Sequence, residues 1–223
     1  MSREVVAEFL GTALLLYVIV GSGIAAQTLG VDGAVELLAH ALAVGLGLAV
    51  LVLLFQSVSG SHFNPAVTLG FWREGSLPGD KAFRYTVAQL VGALSGVVLA
   101  NLSFGLPAAS IAATERSGVG LILSEAVATF VLVLLILALV RIDRPAAIPA
   151  AVGAWVAVIV FATSSTGFAN PAVTIARAVT DTYTGIAPSS VPAFLMAQLV
   201  AALLAVSVAK ALYPSRSTQK ENA

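Results

Sequence analysis

The sequence predicts an all-α membrane protein, with six transmembrane helices and two re-entrant half-helices arranged as an inverted repeat. Three observations predict it. The chain is 59% hydrophobic and 10% charged, with a mean hydropathy of +0.99, whereas a soluble domain carries about 25% charged residues. Six apolar segments follow one another at 5–24, 34–58, 83–103, 121–140, 146–164 and 191–212. The pentapeptide Asn-Pro-Ala-Val-Thr occurs twice, at 64–68 and 170–174, each time between apolar segments.

The six segments suit a hydrocarbon core about 30 Å thick, which a helix of about 20 residues crosses. The first follows Met-Ser-Arg-Glu directly. It is too long for a signal-peptide core and has no convincing cleavage site, so it reads as a retained span. Two further apolar pieces, 65–72 and 171–180, are too short. At about 1.5 Å per residue each reaches about half of the core, and end to end they make one composite span.

Each short piece opens on Asn, a residue that caps helix N-termini. Pro follows at the first helical position, where its missing N–H does no harm. Both pieces therefore read as helices that start within the membrane, with their two ends facing each other across a pore.

Two more marks recur in the same order. Glu8-x-x-x-Thr12 lies in the first span and Glu125-x-x-x-Thr129 in the fourth. Ala-Gln-Leu-Val occurs at 88–91 in the third span and at 197–200 in the sixth. Three spans per half is an odd number, so the second copy must be inverted, and inverted repeats with broken helices place a site at the midplane. The reading is one channel domain over 1–213, with repeats at 5–103 and 121–212, and a polar, disordered tail at 214–223.

Basic residues set the orientation. With the N-terminus inside, Arg3, Arg73, Lys81, Arg84, Arg141, Arg144, Lys210, Arg216 and Lys220 are cytoplasmic, and only Arg116 and Arg177 are outside. Both termini are then cytoplasmic. Net charge is zero, which suggests no nucleic-acid partner. Cysteine is absent, which excludes disulfides, thiolate metal sites and a cysteine nucleophile. No cofactor or metal site is expected. An intramembrane enzyme finds no supporting residue set, and the outer loops are too short for an adhesive junction protein.

The doubled Asn-Pro-Ala, the paired Glu-x-x-x-Thr and the stretch 59–68, Ser-Gly-Ser-His-Phe-Asn-Pro-Ala-Val-Thr, resemble the major intrinsic proteins, the aquaporins and aquaglyceroporins. The likeness covers 5–212. It implies a right-handed bundle of six helices and two half-helices, assembled in the bilayer as a homotetramer with one pore per subunit. Water and small neutral solutes are the expected cargo.

The expected pore motif is Asn64, Pro65, Ala66, Asn170, Pro171 and Ala172. Irregular backbone at membrane depth must line a water-filled cavity or be buried in protein. The carbonyls of 60–63 and 166–169 therefore read as a ladder of acceptors, with Gly60, Ser61, His62, Thr166 and Phe168 named for it. Each Asn caps its half-helix and offers its amide to the pore. Each half-helix end carries roughly half a positive charge, and together the two oppose cations and protons.

Glu8 and Glu125 have two readings. One is a proton relay. The other, which the resemblance favours, is that each carboxylate accepts N–H bonds from the re-entrant loop of its half. Gln89 and Gln198 read as similar polar struts, and Gly92-x-x-x-Gly96 as a close helix contact. His62 reads as a loop anchor that contributes its carbonyl, with a pH gate as the second reading. His40 reads as a polar residue near a helix end.

The chain departs from the family where most members carry an Arg directly after the second Asn-Pro-Ala. That position is Val173. Carried over by their offsets from the two Asn residues, the remaining filter positions are Val44, Val158 and Gly167. This set is small, apolar and uncharged. It implies a wider constriction, fewer donors and the loss of a fixed positive charge. Arg177, one turn beyond Val173, either restores charge at the outer mouth or snorkels to the headgroups.

The stretch 169–181 is similar to a bacterial subgroup that includes channels found beside arsenic-resistance genes. It implies the inner (plasma) membrane of a bacterium and makes neutral metalloids such as As(OH)₃ candidate solutes. The alternatives are a channel that also leaks ions or weak acids, and a mainly water-selective channel.

Overall fold

The computed structural model describes residues 2–30 and 32–214. The polar tail, with Arg216 and Lys220, lies outside the described residues. The described helices are α1 (Arg3–Leu29), α2 (Gly33–Ser59), α3 (Pro65–Glu74), α4 (Gly79–Ser103), α5 (Val119–Arg141), α6 (Ile148–Ala162), α7 (Pro171–Ala176) and α8 (Val191–Leu212). Short 3-10 turns precede α6 and α8, and a third, Arg177–Val179, follows α7.

Six of these segments are long and apolar enough to cross a membrane. They are the six expected spans, lengthened by a few residues at most ends. α7 differs. It stops at Ala176 and tightens into the 3-10 turn, where helical backbone to residue 180 was expected.

Packing repeats between the halves. α1 lies against α2 and α4, as α5 lies against α6 and α8. The half-helices cross over, α3 onto α8 and α7 onto α4, while α2 packs on α6 between the halves. Side chains turned away from the bundle are apolar, as at Leu46, Leu53, Phe161 and Leu204, which is how helices of a membrane protein differ from surface helices.

Two close approaches set the geometry. A Cβ on Gly45 would stand 2.6 Å from the Gly153 carbonyl oxygen and 2.7 Å from Ala157 Cβ. The crossing of α2 and α6 is therefore backbone on backbone. On the other side of the bundle, Gly92 and Gly96 admit the carbonyls of Phe9 and Ala13 of α1. We predict that Gly45→Val forces α2 and α6 apart, costs about 1–3 kcal/mol, and lowers the melting temperature in detergent by several degrees. A melting curve matching that of wild type would refute the contact.

One face of the bundle collects the start of α1, the ends of α3, α5 and α8, and the start of α4. Glu4 pairs with Lys81 at 2.9 Å and Glu74 with Arg141 at 2.7 Å. Arg141 Nη1 also donates to the Tyr213 carbonyl at 2.6 Å. At the opposite face the connection between the halves is stitched onto the chain after α7. Ser110 and Ala112 N–H donate to Val179 and Ala178 carbonyls at 3.1 and 3.0 Å, and Ala187 N–H donates to Thr114 at 2.7 Å.

Candidate functional site

An elongated cavity of about 190 Å³ runs through the bundle, from Gln56 and Pro145 near one face to His40 and Arg177 near the other. This is room for several waters. One wall is helical and apolar, the other is the pair of re-entrant loops.

The loops are built by the same parts twice. Asn64 Oδ1 accepts from Ala66 N–H at 2.8 Å, and Asn170 Oδ1 from Ala172 N–H at 2.9 Å. Pro65 and Pro171 open the half-helices, and Ala66 and Ala172 are fully buried behind them. Each Asn also reaches across the midplane. Asn64 Nδ2 donates to the Ala169 carbonyl at 2.8 Å and Asn170 Nδ2 to the Phe63 carbonyl at 2.9 Å. A side-chain amide has two N–H donors, so one remains on each Asn for the cavity.

The backbone before each Asn is left-handed at matching positions. Phe63 and Ala169 have φ of 48° and 49°, Ser61 and Gly167 have 52° and 55°, and Gly60 and Thr166 have 88° and 62°. A residue with a Cβ resists this by about 1–2 kcal/mol. Buried carboxylates hold the loops there. Glu8 accepts from His62 N–H at 3.0 Å, Phe63 N–H at 2.8 Å and Ser59 Oγ at 2.6 Å. Glu125 accepts from Phe168 N–H at 2.8 Å and Ala169 N–H at 2.9 Å.

Gln89 Nε2 joins Glu8 to Thr68 Oγ1 at 2.7 and 2.9 Å, and Gln198 Nε2 joins Glu125 to Thr174 Oγ1 at 2.7 and 2.8 Å. His62 Nδ1 lies 3.1 Å from Thr68 Oγ1, and its ring stacks on Phe71 at 4.6 Å. These bonds fix His62 as part of the loop.

Among the described residues, the carbonyls of Gly60, Ser61, His62, Thr166, Gly167 and Phe168 accept no hydrogen bond within the protein, and all six residues border the cavity. The ladder is one rung shorter in each half than expected, because the Phe63 and Ala169 carbonyls are taken by the asparagines.

The apolar wall corrects one expectation. Val44 and Val173 are buried on the cavity and Gly167 borders it, but Val158 is half exposed on the outer surface of α6. The cavity stripe of α6 is Ile148, Val152, Val156 and Val160, a spacing of four that keeps one helix face. Val158 lies between two of these and so points away. An offset counted back through an irregular loop does not preserve helix phase. The sequence held a better signal: Ala-Val-Gly at 43–45 recurs at 151–153, and Val44 and Val152 flank the glycines where α2 and α6 touch.

Arg177 is 4% exposed and borders the cavity. It does not snorkel. Its Nε donates to the Thr184 carbonyl, and its guanidinium lies 3.5 Å from the Phe168 ring centroid. Arg116 comes to the same ring at 5.2 Å. Arg116 Nε donates to Gly185 O at 2.9 Å. Burial holds Arg116 below the ordinary arginine value and raises the Tyr183 phenol above its own. Arg177 thus brings a guanidinium to the cavity one turn beyond Val173.

Residues 1–169 match the family described as Major intrinsic protein. The aquaglyceroporin AqpS of Rhizobium meliloti is 43% identical over 217 residues, covering 97% of this chain and 93% of that protein. The chain belongs to the major intrinsic protein family. It is an integral membrane protein, and members of this family called aquaglyceroporins are channels, not enzymes. The aquaporin AqpM of Methanothermobacter marburgensis is 30% identical over 168 residues, covering 65% of this chain and 68% of its own length. Among solved structures, the aquaglyceroporin from Plasmodium falciparum superposes with a TM-score of 0.73 over 99% of both chains at 24% identity, a likeness of fold.

Proposed function

We propose that this chain is a passive channel for water and small uncharged solutes of glycerol size, with a wide filter at Val44, Gly167 and Val173 that lacks the arginine. The observation that supports it is the two-sided cavity. One wall is apolar and small, and the other offers unpartnered carbonyls and one free amide N–H from each of Asn64 and Asn170. A hydroxylated solute can exchange its water shell for that ladder, whereas an ion must shed hydration against a wall of valine.

Glu8 and Glu125 position the loops and take no part in proton transfer, since each already accepts at least three hydrogen bonds within the protein. Residues 1–213 act as one channel unit. Neutral trihydroxylated metalloids such as As(OH)₃ belong to the same solute class, matching polyols in size and hydroxyl display. The assembly is a homotetramer in a bacterial inner membrane, with both termini cytoplasmic, as the distribution of Lys and Arg favours. An ion-leak channel is the weaker reading, because Arg177 and Arg116 set two positive charges near the outer mouth.

The test is stopped-flow light scattering on proteoliposomes with water, glycerol and arsenite, beside current recording in planar bilayers. Fast water and glycerol flux without current is expected. Water flux alone would mean a water-selective pore, and current at neutral pH would replace this reading with the leak.

A further inference from the structure

We infer that His40 and Arg177 form an outer selection station, one helical turn outward from Val44 and Val173, that takes neutral hydroxyl-bearing solutes and turns away cations. The inference rests on the channel reading above and adds the chemistry that its valine filter lacks.

The register places both residues at one level. α2 runs inward, so His40, four residues before Val44, lies outward of it. α7 runs outward from the midplane, so Arg177, four residues after Val173, also lies outward. Both are buried, at 3% and 4% exposure, and both border the cavity.

Each is held so that one kind of polar group faces the open space. Ser22 Oγ donates to the Ile19 carbonyl at 3.2 Å and lies 2.8 Å from His40 Nδ1. We assign the Ser22 hydrogen to the carbonyl, so that Nδ1–H donates to the hydroxyl. The neutral ring then keeps a bare Nε2, since the partner of one ring nitrogen fixes the state of the other. Tyr183 holds the ring edge-on at 5.7 Å. Arg177 spends Nε on Thr184 and lies over the Phe168 ring. Among the described residues its two Nη groups have no hydrogen-bond partner, and neither is among the atoms sealed away without one. They reach the cavity.

An acceptor on one side and a charged double donor on the other match a hydroxyl group, which donates and accepts at once. A polyol or a neutral hydroxylated acid can engage both. A cation can use only the His40 acceptor and meets the guanidinium opposite it, with Arg116 behind the same phenylalanine ring. Selection by size at Val44, Gly167 and Val173 is thereby separated from selection by chemistry one turn outward.

The test uses the full chain in proteoliposomes and planar bilayers, as wild type, His40→Leu, His40→Gln, Arg177→Gln and Arg177→Lys. Loss of the acceptor in His40→Leu should lower the glycerol-to-water permeability ratio by about three- to tenfold, the equivalent of one hydrogen bond. His40→Gln, which returns an acceptor oxygen, should recover part of that loss. Arg177→Gln should raise sodium conductance by about tenfold or more, and Arg177→Lys should restore exclusion. Wild-type ratios in His40→Leu together with wild-type conductance in Arg177→Gln would overturn the station. Should Arg177→Gln fail to fold, the His40 pair decides alone, and a ratio equal in both variants and wild type overturns it. A wild-type protein that passes neither water nor glycerol would instead overturn the channel reading beneath it.

Discussion

Glu8→Ala is expected to abolish the folded channel, and Glu125→Ala to cripple it. Glu8 accepts from two backbone N–H groups, a serine hydroxyl and the Gln89 amide. Removing it leaves those donors buried without water. A hydrogen bond to a charged group contributes about 1.5–3 kcal/mol, and an orphaned buried donor costs about 1–3 kcal/mol. The left-handed backbone at Ser61 and Phe63 then loses what holds it. Even after partial relaxation the loss is about 5 kcal/mol or more, a fall in melting temperature of about 10 °C or more for a chain of this size. Glu125 holds three donors, so its variant should lose less. Fluorescence-detected melting and water flux on purified protein check both. Wild-type melting and flux in Glu8→Ala would remove the carboxylate from any part in the loop.

Val173→Arg is the second large effect. Val173 is 2% exposed on the cavity, so a guanidinium there must enter the open space. It would narrow the passage and stand one turn from Arg177, so that two like charges repel. Glycerol permeability should fall by about tenfold or more and water by much less, since crowding a sieve acts on the larger solute first. The measurement is the ratio of the two fluxes in matched proteoliposomes. Glycerol flux unchanged in a well-folded variant would show that the constriction lies elsewhere along the valine wall.

The parts of this architecture that repeat were legible in the sequence, because duplication supplies its own control. The paired Asn-Pro-Ala, the paired glutamates and the paired Ala-Gln-Leu-Val mark the spans and their inversion. What escaped depended on rotation about a helix axis or on contacts between distant segments. Val158 was counted through seven irregular residues, 163–169, and landed on the wrong face. Arg177 had two readings because a helix tightening to a 3-10 turn leaves no mark in its sequence. The capture of the Phe63 and Ala169 carbonyls needed both loops in place at once.

That last feature has a consequence for how the channel comes into being. The amide of Asn64 finds its acceptor 105 residues later in the chain. While the second half is still being synthesised, the first re-entrant loop has only the contacts of its own half, Glu8 and Gln89 among them, and the Phe63 carbonyl lacks its asparagine. The passage is therefore the last thing to be completed. The midplane closes its own hydrogen bonds only when both halves have arrived.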